Sequence, residues 1–142
     1  MAKITEIMAD MDKVEKGRWV DYAAGIKLLI ANINNSEYRK ARHRILKPYL
    51  RNARTRSISS DEVLELLMPA VANYVLLGWK NIEDEKGKAI KYSTEKALEF
   101  LKNPALADLY SFVLETAGEI DFFRKEDFED SVKNSVTASD GN

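Results

Sequence analysis

The chain has 142 residues, of which 45% are hydrophobic and 32% charged, enough for one domain with a real core and too few for two ordinary ones. It contains no cysteine and a single histidine, His43, which excludes disulfide staples, thiolate nucleophiles, cysteine-rich zinc sites and a His-rich metal cage within one chain. The net charge of −1 conceals a segregation: residues 1–38 hold five basic and six acidic side chains, residues 39–56 eight basic and none acidic, and residues 57–142 nine basic and seventeen acidic.

Taken in chain order, residues 1–16 carry Ile4, Ile7, Met8, Met11 and Val14 at spacings of three and four, the pattern of a short amphipathic segment ahead of the main body. They mix both charge signs and do not lead into an apolar run, so nothing here reads as a leader or a bilayer-spanning segment. Residues 18–22 and 26–33 are rich in β-branched and aromatic side chains on either side of Ala23-Ala24-Gly25, which favours a hairpin. A helix over residues 21–32 is the competing reading, because Tyr22, Ile26, Leu29, Ile30 and Ile33 also fit a 3.6-residue period.

Asn34-Asn35-Ser36 is a helix start, and the basic stretch comes directly after it with Pro48 as the one interruption, so a helix kinked or broken near Lys47 is expected. On that helix Lys40, Arg44, Lys47, Arg51 and Arg54 fall within an arc of about 80°, opposite Tyr38, Ala41, Ile45 and Tyr49. Such a cationic ridge suits an acidic protein surface, the acidic half of the same chain, plain solvent or phosphates; the absence of interleaved aromatic platforms makes nucleic acid the weakest of these. Ser59 and Glu62 then have capping-box spacing, and the apolar run after them predicts a central helix ending at Gly78-Trp79, with Pro69 on its solvent side. Residues 84–87 predict a turn between two short extended pieces. Ser93 or Thr94 caps a short helix that stops at Asn103-Pro104, where a last amphipathic helix begins with Leu106, Leu109, Tyr110, Val113, Ala117 and Ile120 on one face and Phe122, Phe123 and Phe128 extending it.

The expected fold is therefore mainly α with a minor β component (α+β), four to five helices plus one or two short hairpins. The expected layout is an N-terminal segment over residues 1–16, one globular domain over residues 17–134 and a mobile tail over residues 135–142. No catalytic constellation emerges. Glu83-Asp84-Glu85 lacks the ligand spacing of a calcium loop, His43 stands alone among cations as a surface residue, and residues 78–87 lack a phosphate-loop pattern. The expectation is a non-enzyme without cofactor or metal. The aromatic side chains Trp19, Tyr22, Tyr74, Trp79 and Tyr92 flank turns and helix ends, where they either close the core or anchor a partner.

The stretch from Tyr74 to Leu101 resembles the tail assembly chaperones of long-tailed bacteriophages. The resemblance is carried by an apolar segment ending in Gly78-Trp79, the acidic turn with Asp84-Glu85 and Gly87, then Ile90, Tyr92-Ser93, Glu95 and Ala97-Leu98. Asn103-Pro104, the upstream Gly17-Arg18-Trp19, and the order of Asn35 to Tyr38 and then the basic helix extend it over residues 17–123, while Ala89 and Lys91 depart from the pattern. The resemblance implies a non-enzymatic assembly factor in the host cell cytoplasm, absent from the virion, that binds the tape measure protein and the major tail tube protein, masks apolar helices, and is open to self-association. Gly78, Trp79, Asp84, Gly87 and Tyr92 are the partner-binding candidates it marks, with Lys40, Arg44, Lys47 and Arg51 as an electrostatic docking ridge. The alternatives are a small nucleic-acid-binding regulator using the basic helix of residues 39–56, or a structural tail-completion protein.

Overall fold

A computed structural model describes residues 1–51 and 58–125. It is an α+β fold in which five helices pack around a three-stranded antiparallel sheet of order β1-β2-β3. A turn of 3₁₀ helix at Ile4–Glu6 precedes α1 (Met11–Lys16), whose Val14 is buried while Ile4, Ile7, Met8 and Met11 face solvent. The preferred hairpin is present: β1 (Arg18–Asp21) pairs with β2 (Lys27–Ile30), and the turn between them places Ala24 and Gly25 at positive φ. Gly17 enters this hairpin at φ +83, and a Cβ there would stand 3.0 Å from the carbonyl of Ile30, so glycine is required both by conformation and by space.

Asn35 starts α2 (Ser36–Arg51) by accepting the N–H of Tyr38 at 2.8 Å, and the carboxylate of Glu15 accepts the N–H and the hydroxyl of Ser36. The helix does not break near Lys47; it runs through Pro48 to Arg51. Proline removes one donor and frees the carbonyl four residues back, and both Arg44 and Pro48 are exposed, which is where such a loss is tolerated. Ser59 caps α3 (Ser60–Tyr74) in the expected manner, accepting from the N–H of Glu62.

The expected end of that helix is corrected. It stops at Tyr74, and Leu76–Lys80 forms β3 on the free side of β2. The carbonyls released at the helix end are taken up at once: Asn35 Nδ2 donates to Tyr74, the N–H of Ala31 to Val75, and the hydroxyl of Tyr92 to Leu76 at 2.6 Å. Leu77 is the extra residue of a bulge opposite Leu29 and Ile30, which turns Leu76 and Trp79 to the same, buried side.

The remaining elements are α4 (Thr94–Lys102), capped by Ser93, a 3₁₀ turn at Pro104–Leu106, and α5 (Ala107–Gly118). The last helix is shorter than expected: it gives way to a 3₁₀ turn at Ile120–Phe123, leaving Ile120 and Phe122 exposed and only Phe123 fully buried. Phe128 lies outside the described residues. Val20, Leu28 and Trp79 form one inward row across the sheet and join a core with Val71 of α3, Val75 just past its end, Ala97 and Leu101 of α4, and Val113 and Ala117 of α5. No helix among the described residues is long and apolar enough to cross a membrane.

Candidate functional site

The candidate residues fall into two places. Gly78, Trp79, Asp84, Gly87 and Tyr92 belong to a corner where β3 runs into an ordered turn, which is the predicted pair of short extended pieces. Glu83 bridges Ala89, Ile90 N–H donates to Ile82, and Asp84 holds the turn by accepting the N–H groups of Lys86 and Lys88 at 2.9 Å each. Gly87 supplies the positive φ that closes it.

Trp79, Gly87 and Tyr92 line one open cleft of about 620 Å³, yet the aromatic members are spent inward. Trp79 is only 7% exposed; its indole N–H donates to Ile90 at 2.7 Å, its ring stacks on Phe100 at 5.1 Å and meets the edge of Tyr92 at 4.9 Å. Burial raises the pKa of the Tyr92 hydroxyl, which keeps a neutral donor on the carbonyl of Leu76. Gly78 is also interior, in contact range of Leu29 and of the Trp19 ring. Trp79 therefore closes the core and is not an exposed anchor, Tyr92 is half-buried with its hydroxyl turned inward, and of the five corner candidates Asp84 and Gly87 are exposed.

The basic helix has the opposite character. Tyr38, Ala41 and Leu46 are buried, and Arg39, Lys40, Arg42, His43, Arg44 and Lys47 are all exposed. Arg51 continues the helix, and Arg54 lies outside the described residues. Among the described residues the ion pair made by these exposed cations is Lys40 with Glu37 of the same helix, at 3.8 Å and largely in solvent, where such pairs contribute little. Pairing of Lys40, Arg44 and Lys47 with the acidic half of the chain, one of the alternatives left open by the sequence, is not seen among the described residues.

Beside the ridge runs an open groove of about 610 Å³ lined by Arg39, Lys40, His43, Leu46 and Leu50. Leu50 is 65% exposed, an apolar side chain at the end of a row of cations. Its place comes from helix spacing, since 39, 43, 46 and 50 recur at three and four; the sequence reading did not single out Leu50, although that spacing was the signal that could have found it. The tyrosines mark the other joints. Tyr22 donates to the Asp108 carboxylate at 2.5 Å and packs on Phe112, and burial with that carboxylate pushes its pKa up to about 12. Tyr38 is raised by burial against the opposing effect of the Arg42 guanidinium.

Among the described residues no group of three or more His, Asp or Glu side chains is placed to hold a metal ion. The exposed surface of α2 sets cations beside the exposed apolar side chain of Leu50. A family model described as YdaY prophage protein matches residues 33–134, from the residues before α2 onward, and leaves residues 1–32 outside the match. No curated protein and no solved structure matches the chain.

Proposed function

The chain belongs to the YdaY prophage protein family, and from that premise we propose that it is a phage tail assembly chaperone without enzymatic activity. It binds the tape measure protein and tail tube subunits in the host cytoplasm, holds their apolar helices in solution, and is left out of the finished particle. One observation carries the reading: α2 presents a cationic edge and the exposed apolar Leu50 side by side inside the family-matched range. An amphipathic client helix has the complementary form, apolar residues for Leu50 and acidic ones for the edge, as in helix-in-groove recognition. Such binding is reversible, because each exposed charge pair contributes little and several must act together.

The test is co-expression with the tape measure protein of the same prophage. The expected outcome is that the client moves to the soluble fraction with the wild-type chain and returns to the pellet with the triple variant K40E/R44E/K47E. A client insoluble with both sinks the reading, and recovery of the chain in purified particles by mass spectrometry would make it a virion component instead.

The same exposed cations support a second reading, a nucleic-acid-binding regulator. Its signature is affinity for duplex DNA that falls steeply with salt and is lost on Arg44→Glu, whereas protein binding through Leu50 is less sensitive to salt and is lost on Leu50→Glu.

A further inference from the structure

The apolar side of the N-terminal segment faces solvent: Ile4, Ile7, Met8 and Met11 are 69%, 54%, 40% and 58% exposed, and only Val14 reaches the core. This row is tied to the end of the described chain. The N–H of Asp10 donates to Phe123 at 2.6 Å, the N–H of Lys125 donates to Met8 at 2.8 Å, and Ala9 and Arg124 form an antiparallel bridge. In an antiparallel pair one chain climbs as the other descends, so at Lys125 the backbone is heading past Ile7 and toward Ile4.

The next five residues are Glu126, Asp127, Phe128, Glu129 and Asp130, one aromatic ring between two pairs of carboxylates. Around the exposed row cations stand among the carboxylates of Glu6, Asp10 and Asp12. Lys13 Nζ donates to Arg124 at 3.5 Å, Arg18 donates to the carbonyl of Phe122 and covers its ring at 4.9 Å, and Lys3 and Lys16 stand at either end. Direction and the one large apolar side chain agree on the same surface, where Lys3, Lys13 and Arg18 supply the positive charge for carboxylates.

We propose that the exposed apolar side of residues 4–11 is the docking site of the chain's own residues 126–130, with Phe128 against Ile4, Ile7 and Met8 and the carboxylates toward Lys3, Lys13 and Arg18. The inference stands apart from the chaperone reading, which concerns α2. Its consequence is that this surface is occupied by the chain itself, and a partner helix reaches it only in competition with Phe128.

The absence of cysteine allows a clean label. A nitroxide on Ser131→Cys of the full chain is read through the backbone amide signals of ¹⁵N-labelled protein. The amides of residues 4–11 are expected to lose most of their intensity, those of residues 84–87 and 40–47 to keep theirs, and the loss to be largely reversed by adding Phe128→Ser to the labelled chain. Bleaching of residues 4–11 that survives Phe128→Ser reports tethering alone and overturns the proposal. So does bleaching centred on α2, which assigns the acidic segment to the basic helix, and so does bleaching of ¹⁵N chains by separate unlabelled-nitrogen chains carrying the nitroxide, which assigns the surface to a second copy.

Discussion

The corner around Trp79 and the outer side of α2 attract attention in the sequence for the same reason, a concentration of residue types that bind things, and the structure treats them in opposite ways. At the corner every strong group is used internally: the indole N–H, the Tyr92 hydroxyl and the Asp84 carboxylate all end on backbone partners within the domain. On α2 the exposed cations end in water, and the one described ion pair among them is with a neighbour on the same helix. The difference lies in what stands nearby. The corner contains carbonyls released by the end of α3 and by the turn, which must be satisfied, and the aromatic residues satisfy them. The middle of α2 has no free backbone groups except the carbonyl opposite Pro48, so its side chains have nothing local to answer and stay available for a partner.

The contrast breaks most visibly if the corner is emptied. Trp79→Ala removes a buried indole, its stack on Phe100 and the bond to Ile90, and should cost about 3–5 kcal/mol of unfolding free energy, read by urea titration. A loss below about 1 kcal/mol, the scale of exposed contacts, would mean that the indole is not structural and the corner is as open as α2. Next comes the joint between the two regions. Asn35 is buried, accepts from Tyr38 at the start of α2 and donates to Asn32 and to Tyr74 at the end of α3. Asn35→Ala should cost about 2–3 kcal/mol by the same titration, because one helix loses its cap and a buried carbonyl loses its donor.

How much of this was legible divides along the same line. The hairpin of β1 and β2 was readable against the competing helix because Ala23-Ala24-Gly25 supplies a turn that a helix has no use for. The caps at Asn35, Ser59 and Ser93 were readable because they are local chemistry. The end of α3 was not: Val75 to Leu77 continue a helical apolar pattern, and they become a strand because of the free edge of β2 and the donors of Ala31, Asn35 and Tyr92, all distant in sequence. Of the two outcomes that Pro48 left open, a kink or a break, the break is excluded, since a proline at an exposed position is tolerated within the helix. Of the candidate site, the cationic side of α2 could be drawn on a wheel, while the inward fate of Trp79 depends on Ile90 and Phe100 and leaves no periodic trace.

A weaker and reversible test uses pH at a third joint. The Tyr22 phenol, desolvated and hydrogen-bonded to Asp108, ionises near pH 12 in the fold against about 10 in an unfolded chain. A raised value favours the protonated form, so the stabilisation is complete below pH 10 and is lost as pH climbs from 10 toward 12. Thermal unfolding should therefore shift downward over that interval, and Tyr22→Phe should flatten part of the shift, the remainder belonging to Tyr38, Tyr92 and Tyr110, which are raised by burial as well. An unchanged slope in Tyr22→Phe would remove the link between β1 and α5 from the account.

The smallest expected effect on stability is the most informative about function. Lys40→Glu, Arg44→Glu and Lys47→Glu together reverse three charges on one helix, yet each side chain is exposed and the one described pair, with Glu37, is largely solvated. Each substitution should shift stability by no more than about 0.5 kcal/mol. Reversal near the middle of the helix also leaves its ends, where charge and macrodipole interact most, untouched. If the triple variant melts with the wild type and loses the client, the ridge is a surface held for a partner. If it unfolds, the cations are engaged within the chain, α2 joins the Trp79 corner as part of the internal framework, and the docking surface has to be sought on another face.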